Sequence, residues 1–317
     1  MNRNVDLFRS FSLDPNAIYW GEVHDRYAAR IQNAVQSRQM LGVVGPFGSG
    51  KSVLVREALR DQLPDDQIIY VQNFDRESLT IGHIVSQIIR DLGGSESPRR
   101  DMNARCIQLG RIVGEHAVVQ GKDIAVVIEN SHRIHANTLL ALKDARESAT
   151  YKGYDELFSC ILVGQEPLAA KLDRFGEVKY RSRQLTLSPS KGWMTHEERM
   201  RYLDAIYGDV IEPEVAVRLA ALYETPLELD YHIEDKLAMM QDAGIDRMTP
   251  ELIDFSIREQ REAMGVSLRD LEKVTGVAKS TISDVEHGKN QSPETRAQIE
   301  QGIDELVREQ TADKTPA

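Results

Sequence analysis

Four short apolar runs punctuate the chain up to about residue 163: Met40 to Val44, Gln67 to Val71, Asp123 to Ile128 and Phe158 to Val163. Each is too short for a buried helix and is bounded by polar or glycine-containing segments, so each reads as a buried strand. Between them, apolar residues recur every three to four positions. Ser52 to Leu59 reads as a helix, as does Thr80 to Ile89, which stops at Gly93-Gly94; further helical stretches cover 103 to 118 and the surroundings of Thr138 to Leu142. Ser95 to Asp101 is a polar loop carrying Arg99 and Arg100. Apolar strands alternating with helices predict an α/β core, a parallel sheet covered by helices on both faces.

From about residue 190 the strand pattern stops. Thr195-His196-Glu197-Glu198 has the form of a capping box, Pro213 to Leu222 is amphipathic, and Leu227 to Met240 is another helical stretch. Thr249-Pro250-Glu251 opens a further helix with proline at its first position. Ser267 to Val274 and Ala278 to Glu286 form two short helices around Thr275-Gly276-Val277, with Gly276 supplying the positive φ of the turn. Leu268, Leu271, Val274, Val277, Ile282 and Val285 are spaced to face one another. The boundaries that follow are an α/β core over 1–190, an all-α lid over 191–248, a helical bundle over 249–309 and a frayed tail over 310–317.

Composition narrows the classes. With 41% hydrophobic and 28% charged residues, the 317-residue chain is ordinary for a globular protein. It has no run of the length that spans a bilayer and no leader-like start, which predicts a cytoplasmic protein with no membrane partner. Its two cysteines, Cys106 and Cys160, are too few for a disulfide framework. A formal charge of −11 excludes a protein that coats nucleic acid through overall basicity, so any such binding must be local.

The candidate chemistry sits between the first strand and the following helix. Gly45-Pro46-Phe47-Gly48-Ser49-Gly50-Lys51-Ser52 satisfies G-x-x-x-x-G-K-[ST] at every required position, and Val53 continues the helix behind it. Glycines let backbone N–H groups curl around a polyanion at the positive end of a helix. Lys51 is expected to reach the β- and γ-phosphates and the Ser52 hydroxyl to ligate Mg²⁺, so the cofactors expected are ATP and Mg²⁺. Tyr19 and Trp20 are candidate adenine contacts. The chain has no N-K-x-D base-reading motif of GTPases and no H-E-x-x-H near His132 and His135.

The third strand runs into Glu129-Asn130-Ser131-His132. In AAA+ ATPases the same place carries Asp-Glu, the Asp serving the metal and the Glu polarising the attacking water. Glu129 can serve the metal, whereas Asn130 cannot act as a base; the alternative register makes Glu129 the base and puts apolar Ile128 toward the metal. In either register hydrolysis is expected to be slow. The fourth strand ends in Ile161-Leu162-Val163-Gly164-Gln165-Glu166-Pro167-Leu168, and the N-terminus reads Phe11-Ser12-Leu13-Asp14-Pro15-Asn16-Ala17-Ile18-Tyr19-Trp20 with His24-Asp25-Arg26. Both resemble ExeA-like AAA+ ATPases, a group that includes transposition regulators of the TnsC and TniB type with phage Mu B more distant. The resemblance covers residues 7 to 190 well and the lid loosely. It implies a catalytic set of Lys51, Glu129, Asn130, the sensor-1 Gln165, and Arg181 or Arg183 as the finger reaching a neighbouring subunit. Asp230 falls near the place where a sensor-2 arginine is often found.

Residues 252 to 306 resemble the Cro/repressor-type (XRE) helix-turn-helix domain. That resemblance implies that Lys279, Ser280, Thr281 and Ser283 approach base edges and that Lys289 and Asn290 approach phosphates. Glu272 departs from the family, which has a small residue there. Taken together, the resemblances imply an ATP-dependent regulator of DNA transposition. It would assemble as a ring or helical homo-oligomer on double-stranded DNA and recruit a transposase or recombinase. Arg99, Arg100, Lys122, Lys143 and Arg146 are candidates for the DNA side of the core. The alternatives are a nucleotide-gated transcriptional regulator or phage repressor, and a secretion ATPase of the ExeA type.

Overall fold

The computed structural model describes residues 3–71, 79–252, 257–258, 261, 265–286 and 292–312. In chain order the first elements are α1 (Val5–Ser10), α2 (Glu22–Gln36), β1 (Met40–Val44), α3 (Lys51–Arg60), β2 (Ile68–Val71), α4 (Ile81–Leu92), α5 (Met102–Gly114) and β3 (Ala125–Ile128). They are followed by α6 (Ala136–Ser148), β4 (Ser159–Gly164), α7 (Pro167–Arg174), α8 (Gly176–Arg181) and β5 (Ser182–Thr186). Beyond these lie α9 (His196–Tyr207), α10 (Pro213–Leu222), α11 (Pro226–Ala243), α12 (Leu268–Thr275), α13 (Lys279–Glu286) and α14 (Pro293–Ala312). Two units emerge from the packing: Trp20–Trp193, and Met1–Tyr19 together with Met194–Ala317.

The first unit is a parallel five-stranded sheet in the order β2-β3-β4-β1-β5. Its period-2 alternation divides the apolar residues between two faces. Met40, Val44, Ile69, Val71, Val126, Ile128, Cys160 and Leu162 join one large core with residues of α4 to α8. The intervening residues, among them Leu41, Val43, Ile161 and Val163, are equally buried on the opposite face, where α2 and α3 lie against β1 and β4. Burial on both faces is what makes these runs continuously apolar.

Strand β5 is not legible in the apolar pattern. Of Ser182-Arg183-Gln184-Leu185-Thr186 only Leu185 is buried, because the strand lies at the sheet edge and pairs with β1 alone. The capping box also falls elsewhere. Thr195 Oγ1 accepts the Glu198 N–H at 3.3 Å, but the Glu198 carboxylate is taken by Tyr19 and Arg201. The reciprocal box forms at Thr225 and Glu228, with Pro226 at the start of α11.

The second unit holds the helices beyond Trp193 and the N-terminal segment. Arg3, 227 residues from its partner in sequence, donates from Nε to Asp230 Oδ2 at 3.1 Å and from Nη2 to Tyr202 Oη at 3.1 Å. Tyr202 and Tyr207 both donate to Asp230 Oδ1. Asp230 is thus buried and fully engaged as a structural anion. Further along, Ile257, Val266, Leu271, Ile282, Ile299 and Ile303 make a separate small core, with Leu268, Val277 and Val285 packed against it. Val274, expected in that core, is 37% exposed.

Candidate functional site

The site grows out of the sheet topology. β1 lies between β4 and β5, and Val44 is in register with Gly164 and Thr186, so the loop after β1 emerges at the same edge as the segments after β3 and β4. Gly45 N–H donates to Gly164 O at 3.3 Å and Leu187 N–H to Val44 O at 2.7 Å, closing the strand ends behind the loop. Gly48 and Gly50 hold φ of +77° and +83°, a region open to glycine and strained for other residues. Phe47 stands out at the tip, 72% exposed.

Lys51 folds back over its own loop, donating to Gly45 O at 3.1 Å, Pro46 O at 2.5 Å and Ser49 Oγ at 3.3 Å. Burial brings its ammonium down to about 8, against the pull of Glu129. Ser52 Oγ donates to Glu129 Oε2 at 3.0 Å. Burial raises the Glu129 carboxyl above the ordinary carboxylate range, countered by Ser52, Lys51 and Arg56. A hydroxyl and a carboxylate meeting beside a lysine form the hard-oxygen donor set that suits Mg²⁺ bound to phosphates. The residues present therefore fit ATP and Mg²⁺: the loop amides and Lys51 would hold phosphates, and Ser52 and Glu129 the metal.

Asn130 follows in the left-handed region with φ +54° and is exposed. The next turn is held by Lys171 of α7, which donates to His132 O and, at 2.7 Å, to Ile134 O. Gln165 sits half-buried immediately after β4, at the same edge. Arg181, exposed at the end of α8, pairs with Glu147 at 3.5 Å and Glu156 at 3.7 Å. Arg183 is exposed near the start of β5. Tyr19 belongs to the other unit, where its hydroxyl donates to Glu198 Oε2 at 2.9 Å.

One residue that the sequence did not single out bears on this loop. Trp193 is 2% exposed, and its Nε1–H donates to Ser49 O at 2.8 Å. The partners lie 144 residues apart, so only the folded chain reveals the pairing.

Among the basic candidates, Arg99 and Arg100 are exposed, and Arg105 fixes their loop by donating to both of their carbonyls. Lys122 pairs with Asp66 at 2.8 Å. Lys143 and Arg146 do not present themselves for DNA. Lys143 is buried among Asp144, Glu147 and Glu177, while Arg146 is buried and spends its guanidinium on the carbonyls of Arg38 and Phe158.

In the helical unit, Ser267 caps α12 through Oγ, and Gly276 ends that helix with φ +69°. Glu272 reaches across the turn: its Oε1 accepts the Lys279 N–H at 3.3 Å and its Oε2 lies 3.7 Å from Lys279 Nζ. Ser280 is exposed, and Thr281 and Ser283 are half-buried. Lys289 and Asn290 lie outside the described residues.

Residues 32–172 match the AAA domain family model and residues 257–303 the helix-turn-helix family model. The chain therefore joins an AAA domain of the P-loop type, whose fold implies a nucleotide, to a helix-turn-helix domain. No curated protein matches it significantly in sequence. Among solved structures it is similar to Cdc6p from Pyrobaculum aerophilum, with 14% identity and a TM-score of 0.57, covering 99% of this chain and 86% of that one. It is also similar to the RuvB Holliday junction branch migration motor of Thermotoga maritima, with 14% identity and a TM-score of 0.44 over 86% of this chain and 90% of that one. Among the described residues, no helix is long and apolar enough to cross a membrane.

Proposed function

We propose that the protein is an ATP-dependent DNA-binding regulator of DNA transposition, which assembles on duplex DNA when ATP is bound and there recruits or activates a transposase or recombinase. The observation that carries the reading is the pairing of a complete phosphate-binding apparatus with Asn130 where a catalytic carboxylate would stand, in a chain that also carries a helix-turn-helix. Such a site holds ATP better than it spends it, which suits an assembly switch. The likeness of residues 7 to 190 to TnsC- and TniB-type regulators supports the transposition role, with Arg181 or Arg183 completing the site of a neighbouring copy.

A chain of net charge −11 can still bind DNA in this way. Each copy contributes a few phosphate contacts, from residues such as Arg99, Arg100 and Lys279, and counterion release adds over many copies. Electron microscopy of the protein on long random-sequence DNA, with and without a non-hydrolysable ATP analogue, tests the proposal. ATP-dependent rings or filaments indifferent to sequence are expected. Absence of any ATP-dependent assembly overturns it, and a discrete palindromic footprint identifies a transcriptional regulator instead.

A further inference from the structure

Trp193 closes the nucleotide unit, and its indole is built into the back of the phosphate loop. Its ring centroid lies 4.6 Å from that of His24 and 4.9 Å from that of Tyr27. Tyr27 is itself anchored, its hydroxyl donating to Lys191 O at 2.8 Å. Trp20 extends the stack, 5.3 Å from His24. The buried indole is therefore packed against two rings of α2, and its N–H is aimed at Ser49 O, 2.8 Å away. Its ring edge also runs alongside the loop, since a side-chain atom on Gly50 would lie in ordinary contact with it, 3.9 Å from Cζ2.

The consequence follows from peptide geometry. In a planar trans peptide the carbonyl and the next residue's N–H point in opposite directions. Holding Ser49 C=O against Trp193 therefore turns the Gly50 N–H the other way, out of the indole side. Gly50 N–H donates to no protein group among the described residues, as a phosphate-cradling amide requires. The φ of +83° at Gly50 is the conformation this orientation needs, and glycine alone leaves the peptide free to swing away from it. A buried indole packed against the His24 and Tyr27 rings is the rigid group that stops the swing.

We infer that Trp193 is a positioning residue for nucleotide binding, presetting the Ser49–Gly50 peptide so that the Gly50 N–H is oriented for phosphate before ATP arrives. The inference rests on the reading of Gly45–Ser52 as an ATP site. Because the same indole touches the loop, its environment changes when the loop is filled.

The chain has two tryptophans, Trp20 and Trp193, so Trp20→Phe leaves Trp193 as the sole indole. In that variant, ATP titration is expected to change the indole emission saturably. In an otherwise unaltered chain, Trp193→Phe keeps the ring stack and loses the N–H donor. It is expected to weaken ATP binding about threefold to tenfold, the range expected for one hydrogen bond, as read with a fluorescent ATP analogue. Equal ATP affinity in Trp193→Phe and wild type overturns the inference. So does an unchanged emission in a Trp20→Phe protein that binds ATP, which keeps the test decisive if Trp193→Phe fails to fold. Failure of the wild-type chain to bind ATP at all refutes the ATP site itself.

Discussion

Asn130 adopts φ +54° and ψ +32°, a conformation that asparagine tolerates better than most residues because its short polar side chain can hydrogen-bond locally and offset the Cβ clash. The residue that, in the proposed reading, replaces a catalytic carboxylate is also one suited to the turn after β3. Asn130→Glu sets the two demands against each other. It is expected to raise the turnover number by about tenfold or more by supplying a general base, while costing about 1 kcal/mol in the left-handed backbone. Phosphate release and thermal unfolding, measured together, check both halves; Asn130→Gly should leave turnover low and the melting temperature no lower than wild type. Brisk wild-type turnover that disappears in Glu129→Gln would instead make Glu129 the base. The meeting of Lys51, Ser52 and Glu129 was legible because local patterns at the ends of strands bring them to one place. Trp193 was not, since a lone tryptophan in a polar stretch acquires its role only when the fold brings Ser49 to it.

The elements show the same division. β1, β3 and β4 are buried on both faces, so hydrophobicity alone marks them, while β5 earns its place through backbone pairing with β1 and shows one buried side chain. In the helix-turn-helix, the spacing of Leu271 and Ile282 revealed the packing, but the consequence of Glu272 emerges only from its geometry. Ala278, the residue before α13, offers no side-chain oxygen to cap the first turn, and Glu272 satisfies one amide of that turn, the Lys279 N–H. The same carboxylate partly neutralises a lysine expected at the DNA. Glu272→Ala is therefore expected to destabilise this bundle by about 1 kcal/mol, the size of a lost cap. It should also steepen the salt dependence of DNA binding by about one phosphate equivalent. Adding Ala278→Ser should restore the stability while keeping the steeper slope, as denaturant unfolding and binding at several salt concentrations would reveal. Failure of the slope to change would remove Lys279 from the DNA contacts.

The two units carry their cores separately, and this sets what can be lost without losing the rest. The N-terminal segment looked continuous with the sheet domain in sequence, yet Arg3 is committed to Asp230 in the helical unit, a pairing no local pattern announces. The helix-turn-helix depends on another distant ion pair. Arg261 Nε lies 2.6 Å from Glu286 Oε1, Nη2 donates to Oε2 at 3.3 Å, and Nη1 donates to Val266 O at 3.1 Å, with both charged side chains largely shielded from solvent. Removing one partner from such a shielded pair costs up to about 3–5 kcal/mol, because the remaining guanidinium loses the carboxylate that balances its charge. That is comparable to the whole stability of a small bundle whose core, among the described residues, is built on six buried aliphatic side chains. Glu286→Ala is therefore expected to unfold the helix-turn-helix and abolish its DNA binding at every salt concentration. The nucleotide unit, whose core shares none of these residues, should retain ATP affinity, and calorimetry should show one transition lost and one preserved. Loss of ATP binding in the same variant would mean that the two units stand or fall together, and that nucleotide and DNA act on a single cooperative structure.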